Sequence, residues 1–188
     1  MSRGSRGASL LAASLFAGSV LAPAMAHHGR TQGVNRESAG WPVASFALVD
    51  LSGQPFTERR FAGCWTFVVF GDVDCGLPCE APLAALAQMR RRIAGSDAIR
   101  TTQVVFVSLD PERDTPERMR RHLAAFDIHF LGATGPRPAL RRLMDELDVA
   151  GRGALLLVGP DAVLRSELLP PYDPLLLTAE YLRTRSRR

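Results

Sequence analysis

Two cysteines set the chemical question. Cys75 and Cys79 stand in the run Asp72-Val73-Asp74-Cys75-Gly76-Leu77-Pro78-Cys79-Glu80. Their four-residue spacing lets both sulfurs face one point, where they can close a disulfide or grip one soft metal ion. Cu(I) and Zn(II) both favour thiolate ligands. The pair lies between an apolar strand-like run and the start of a helical pattern. Backbone N–H groups at a helix N-terminus stabilise a nearby thiolate and make it more reactive. A bridge over so short a loop gains little from chain entropy, so a purely structural disulfide is an inefficient use of two cysteines. The third cysteine, Cys64, stands apart at Gly63-Cys64-Trp65. It reads as an apolar core residue, with a third or resolving thiol as the alternative.

Further ligands must come from a short set of residues. Asp72 and Asp74 flank the pair but are hard donors, poorly matched to Cu(I). His122 lies beside Arg120 and Arg121 and reads as part of a solvated helix face. His129 precedes a strand-like run and reads as structural or solvent-facing. His27 and His28 sit on a polar stretch and could bind copper as an N-terminal arm. Met89 fits the apolar stripe of a helix. Asp110 and the Glu112, Arg113, Asp114 cluster follow a second strand-like run, where α/β sheets carry functional groups. Turn formation and capping are the favoured explanation of that cluster, and Asp110 is its member to watch, as a carboxylate near the pair could modulate its protonation.

The patterns around these residues alternate strands with helices. Trp65 to Phe70 and Gln103 to Leu109 are apolar and rich in β-branched and aromatic residues, as strands buried on both faces are. Ser45 to Asp50 followed by Ser52-Gly53 predicts a hairpin. Helical stripes follow at Leu83, Leu86 and Ile93, then at Met119, Leu123 and Phe126, then at Leu140, Leu143, Met144 and Leu147. Asp114 or Thr115 can cap the second of these, with Pro116 in its first turn. Ala154 to Val158 is another buried strand, and Val163 to Leu168 can pair back on it. Leu175 to Leu182 closes the chain as a helix. This order predicts an α/β domain with a partly parallel sheet.

Composition narrows the class. The chain has 188 residues, 46% of them hydrophobic and 22% charged, which is globular usage. No lysine occurs, so all 23 basic residues are arginines, and the net charge is +4. Without Arg3 and Arg6 it falls to about +2, too weak a field to indicate nucleic acid. Arg3 and Arg6, the uncharged stretch Ala8 to Ala22 and Ala24-Met25-Ala26 form an export-signal pattern with cleavage before His27. The same stretch is long enough to serve as an uncleaved anchor. The expected organisation is a leader at 1–26, a linker at 27–40, a domain at 41–184 and a basic tail at 185–188. The expected location is the periplasm, with possible anchoring in or proximity to a membrane.

Three stretches carry a family likeness. They are Gly63 to Gly71 leading into the cysteine pair, Val104 to Glu117 (Val-Val-Phe-Val-Ser-Leu-Asp-Pro-Glu-Arg-Asp-Thr-Pro-Glu), and Phe130 to Gly135. Over roughly residues 43–170 the chain resembles the Sco/SenC family of copper-handling, thioredoxin-like proteins. The resemblance implies a thioredoxin-like α/β fold: a central mixed sheet flanked by helices, with an N-terminal hairpin. It implies copper, as Cu(I) or Cu(II), held by Cys75 and Cys79 as metal ligands or by the same two residues acting as a redox pair. The implied partners are the copper-containing subunit of a respiratory cytochrome c oxidase and other assembly or thiol-redox proteins.

The family's third ligand, a histidine in the loop before the late strand, falls on Gly151 here. Arg152 beside it stays protonated and cannot ligate. Two functions remain open from this stage. One is a metallochaperone delivering Cu(I) to the oxidase copper site. The other is a thiol–disulfide oxidoreductase keeping partner cysteines reduced. A peroxidase of peroxiredoxin type is disfavoured because Asp72 occupies the place of the threonine such enzymes need. A non-catalytic module with a fixed disulfide is the remaining alternative.

Overall fold

The computed structural model describes residues 35–37 and 40–187. They fall within one compact unit, Gln32–Arg188. The leader pattern at 1–26, with His27 and His28, lies outside the described residues. Eight strands form a single sheet: β1 (Asn35–Glu37), β2 (Leu48–Asp50), β3 (Pro55–Phe56), β4 (Trp65–Gly71), β5 (Thr102–Ser108), β6 (Leu131–Thr134), β7 (Leu155–Val158) and β8 (Leu164–Leu168). Their spatial order is β1-β8-β7-β4-β5-β6-β2-β3. β4, β5 and β6 run parallel, whereas β7 lies antiparallel on the other side of β4. Four helices cover this sheet: α1 (Leu77–Ile93), α2 (Pro116–Ala124), α3 (Arg137–Glu146) and α4 (Pro174–Ser186). This is the expected mixed sheet flanked by helices, and the expected hairpin is β2–β3.

The apolar runs become the central strands because both sheet faces are covered. All seven residues of β4 are buried. Successive side chains of a strand point to opposite faces, so β4 and β5 feed two cores. Phe67, Val69, Val104 and Phe106 pack with Leu83, Leu86 and Met89 of α1, Met119 and Leu123 of α2, and Tyr181 of α4. Val68, Phe70, Val105 and Val107 pack with Leu140 and Leu143 of α3 and with Phe46, Phe56 and Phe61. Met89 is fully buried, as its place in the helical stripe predicts.

Helix starts follow their caps. Thr115 caps α2 through its side chain, accepting from the Arg118 N–H, and Pro116 opens the helix. Asp173 caps α4 through Leu175 and Leu176. α1 begins earlier than its apolar stripe suggests, at Leu77, so it contains Cys79. Pro78 suits that first turn because the N–H it lacks would have no partner there.

Three local expectations are corrected. The stretch 27–40, read as a linker, contributes β1, which pairs Asn35 with Leu168 at the sheet edge. The tail begins later than residue 185, because Arg185 lies inside α4 and donates to Thr101 Oγ1 and Tyr181 Oη. His122 is not on a solvated face: its ring packs against those of Phe106 and Phe126, 5.8 and 5.4 Å away between centroids. Among the described residues no helix is long and apolar enough to cross a membrane.

Candidate dithiol site

β4 ends at the C-terminal edge of the sheet, and the chain turns there into α1. Cys75 lies in that turn and is half-buried; Cys79 lies in the first turn of α1 and is fully buried. The two are joined as a disulfide with their Cα atoms 5.8 Å apart. Cys79 Sγ sits 3.9 Å from the Phe70 carbonyl oxygen. Its close seat against the strand depends on Gly71. A Cβ at that position would stand 2.3 Å from Cys79 Sγ and 3.2 Å from the Phe106 ring. Leu77, between the two cysteines, is largely exposed, so the half-buried Cys75 is the solvent-side member of an apolar-edged pair.

Two aspartates shape the turn. The Asp72 carbonyl accepts from the Cys75 N–H at 3.1 Å, and its Oδ1 accepts from the Asp74 N–H at 3.1 Å. Asp114, buried on the loop before α2, reaches across to the same turn. Its Oδ2 accepts from the Val73 N–H at 3.1 Å and from the Ser108 hydroxyl at 2.6 Å. Ser108, at the end of β5, also takes the Asp110 N–H at 3.1 Å. The run Ser108 to Asp114 is therefore the scaffold that ties the β5 end to the cysteine turn.

Around this scaffold the arginines pair off. Arg113 and Arg118 both meet Asp74, at 3.8 and 2.5 Å. Arg113 also holds Asp110 at 2.6 Å, and Arg137 bridges Asp110 and Glu112. The hydrogen bond and charge of Arg113 hold the Asp110 carboxyl below its usual range, against the opposing effect of burial. Asp110 is thereby kept ionised and engaged with arginine. The arrangement joins it to the turn-forming cluster and shows no contact between it and the sulfurs.

The loop before β7 covers the other side of the pair. Gly153 donates to the Phe70 carbonyl at 2.7 Å, and its own carbonyl accepts from the Tyr172 hydroxyl at 3.0 Å. Burial, aided by the charge of Glu167, pushes the Tyr172 phenol up to about 12, so it stays a neutral donor. Gly153 has a φ of +83°, and a Cβ there would lie 2.6 Å from the Pro78 carbonyl oxygen. That carbonyl faces the loop because Pro82, four residues on, has no N–H to offer it. A groove of about 730 Å³ opens between this loop, Leu77, Pro78, Leu169 and Tyr172.

Gly151 lies in the same loop with a φ of +151° and carries no donor. Its neighbour Arg152 turns toward the cysteine turn, where its Nε lies 2.5 Å from Asp72 Oδ2. Asp72 is almost fully buried, and that oxygen has no well-aligned hydrogen bond, so the contact is an ion pair rather than a directional one. The pair was not legible in sequence, where the two residues stand eighty positions apart on separate loops.

The other sequence candidates lie away from the sulfurs in their contacts. His129 is exposed and its Nδ1 pairs with Asp127 Oδ1 at 2.9 Å. Cys64 precedes β4, and a seven-residue strand of about 3.3 Å per residue separates it from the turn bearing Cys75. It is a half-buried free thiol at the opposite end of the sheet, and a role as third thiol of the pair is excluded by that distance. Among the described residues no cluster of three His, Cys, Asp or Glu is assembled to hold a metal ion.

Comparison with known proteins places this arrangement. The SCO1/SenC family pattern matches residues 36–154. A protein of Stutzerimonas stutzeri, provisionally named a copper-binding protein, is 31% identical over 146 residues, covering 69% of this chain and 70% of its own. The mouse mitochondrial protein SCO2 homolog is 33% identical over 106 residues, covering 56% of this chain and 41% of the mouse protein. The chain thus spans well under half the length of that mitochondrial relative. The crystal structure of yeast Sco1 with copper bound superposes with a TM-score of 0.70 at 22% identity, covering 76% of this chain and 87% of the yeast one. That likeness shows the thioredoxin-like fold.

Proposed function

The chain belongs to the SCO1/SenC family, and on that premise we propose that it handles copper for the assembly of a respiratory cytochrome oxidase through Cys75 and Cys79. The observation that carries the proposal is the convergence of the two sulfurs on one point at the sheet's C-terminal edge, with Cys75 on the solvent side. Reduced, the pair presents two soft donors suited to Cu(I) as cargo. Oxidised, as in this structure, it offers none. Copper loading and disulfide state are therefore mutually exclusive, and the cysteines act as a switch between them. The signal pattern at 1–26 supports work in the periplasm, where the copper-bearing subunit of the oxidase would be the recipient.

A second reading is a thiol–disulfide oxidoreductase acting on partner cysteines. Its specific support is the loop before β7. Gly151 brings no donor to the pair, and Arg152 is spent on Asp72. His122 is wedged between aromatic rings and His129 is bound to Asp127. The described residues thus supply two good Cu(I) donors, and any third comes from outside them or from the recipient.

The deciding experiment is an anaerobic Cu(I) titration of the reduced protein against a competing chelator, beside the Cys75→Ser/Cys79→Ser variant. One equivalent held tightly, and lost in the variant, is the expected result. Failure to compete with a moderate chelator would remove the copper reading. Ready exchange of the disulfide with a partner thiol would then leave the redox reading standing.

A further inference from the structure

We infer that Arg152 is a positioning residue for the cysteine pair, holding the turn that presents Cys75 through its ion pair with buried Asp72. The inference rests on the reading of Cys75 and Cys79 as a reactive pair, whether toward copper or toward thiols.

The geometry is a chain of three links. Arg152 Nε meets Asp72 Oδ2 at 2.5 Å. Asp72 anchors both ends of the turn, taking the Asp74 N–H on its side chain and the Cys75 N–H on its carbonyl. The loop carrying Arg152 is itself fixed, by Gly153 to the Phe70 carbonyl and by Tyr172 to Gly153. Arg152 therefore joins a rigid loop to the turn whose conformation sets where the Cys75 sulfur points. Among the described residues Arg152 forms the ion pair with Asp72 Oδ2, an oxygen otherwise buried without a hydrogen bond. Removing the guanidinium strands a buried charge, which either stays unpaired or turns out to water. In both cases the turn loses its tie to the loop before β7.

The consequence falls on the equilibrium between dithiol and disulfide. In the reduced protein a fixed turn keeps the two sulfurs close, which raises their effective concentration for ring closure. A loosened turn lets them part and makes the disulfide easier to open. The reaction is balanced with glutathione: two glutathione thiols give two electrons and two protons to the Cys75–Cys79 bond and leave as glutathione disulfide.

The test equilibrates the metal-free protein in glutathione buffers and reads the fraction of free thiol. Arg152→Ala is expected to shift the equilibrium constant about tenfold toward the dithiol, or about 30 mV for a two-electron couple. Arg152→Lys, which keeps the charge, should recover most of the shift. Asp72→Asn should move the equilibrium in the same direction as Arg152→Ala, and the double variant should add little to either. An unchanged equilibrium in folded Arg152→Ala, even with a lowered melting temperature, would show a structural role only and overturn the inference. Additive effects in the double variant would overturn it too. Should Arg152→Ala not fold, Arg152→Gln carries the same comparison. A wild-type disulfide that no glutathione buffer opens would instead sink the reading of a reactive pair, so the two failures are distinguishable.

Discussion

Gly71 ends the central strand directly against Cys79: a methyl group at Gly71 would stand 2.3 Å from the Cys79 sulfur. The strand end and the first turn of α1 are thus packed without room between them. The position of the buried sulfur is set by the absence of a side chain on its neighbour. Gly71→Ala must push α1 or the Phe106 ring aside. Overpacking of this kind costs about 1–3 kcal/mol. A urea unfolding curve should show that loss, with the melting temperature falling and, in the reduced protein, Cys79 becoming reactive to a thiol probe under native conditions. A variant as stable as the wild type, with Cys79 still protected, would show that the helix moves freely relative to β4.

Asp114 should be more important to the site than its sequence setting suggests. It is buried and joins Val73, Ser108 and Arg118. Asp114→Ala removes the acceptor for a backbone N–H in the cysteine turn. Leaving such a group unsatisfied costs about 1–3 kcal/mol. The expected outcome is lower stability and, on the proposed copper reading, weaker Cu(I) retention measured by chelator competition. Ser108→Ala, which removes one contact of Asp114 and leaves the Val73 bond intact, should show a smaller effect on both.

The legibility of these features in the sequence divides along physical lines. The central strands, the helix stripes and the Thr115 cap were readable because each is set by local periodicity or by one side chain reaching its own helix. The cysteine pair was readable for the same reason, since its spacing is local. What the sequence hid was the meeting of distant loops. Asp72 and Arg152 converge only because β4 and β7 are neighbours in the sheet. His122 looked solvated beside Arg120 and Arg121, yet successive residues of a helix are rotated by about 100°, and Phe106 and Phe126 claim its ring. The start of α1 at Leu77 escaped the apolar stripe because Leu77 and Pro78, in its first turn, are exposed and lie off the buried face.

The loop before β7 gives a further expectation. Gly153 combines a left-handed φ of +83° with a separation that would place a Cβ 2.6 Å from the Pro78 carbonyl oxygen. Gly153→Ala is strained on both counts. The strain costs about 1–3 kcal/mol if the loop holds its conformation. If the loop moves instead, the Tyr172 hydroxyl loses the Gly153 carbonyl and the phenol is released toward water. A spectrophotometric titration distinguishes the two. In the wild type the Tyr172 phenol ionises at about 12, and in a variant whose loop has moved it should ionise at lower pH.

His122 predicts how stability depends on pH. Burial lowers its pKa below the ordinary value of 6.5, outweighing the nearby charges of Glu80, Asp114 and Asp74. The folded protein therefore binds a proton here less readily than the unfolded chain. Stability rises with pH wherever the unfolded state holds more protons. Its contribution is complete above about 6.5, declines as pH falls from there toward the lower folded value, and levels off beneath it. His122→Phe keeps an aromatic ring between Phe106 and Phe126 and removes the titration. Urea midpoints measured from pH 8 down to pH 5 should fall for the wild type and fall less for His122→Phe. Parallel curves for the two proteins would mean that the wild-type imidazole titrates as it does in the unfolded chain, with its Nε2 reaching water when protonated.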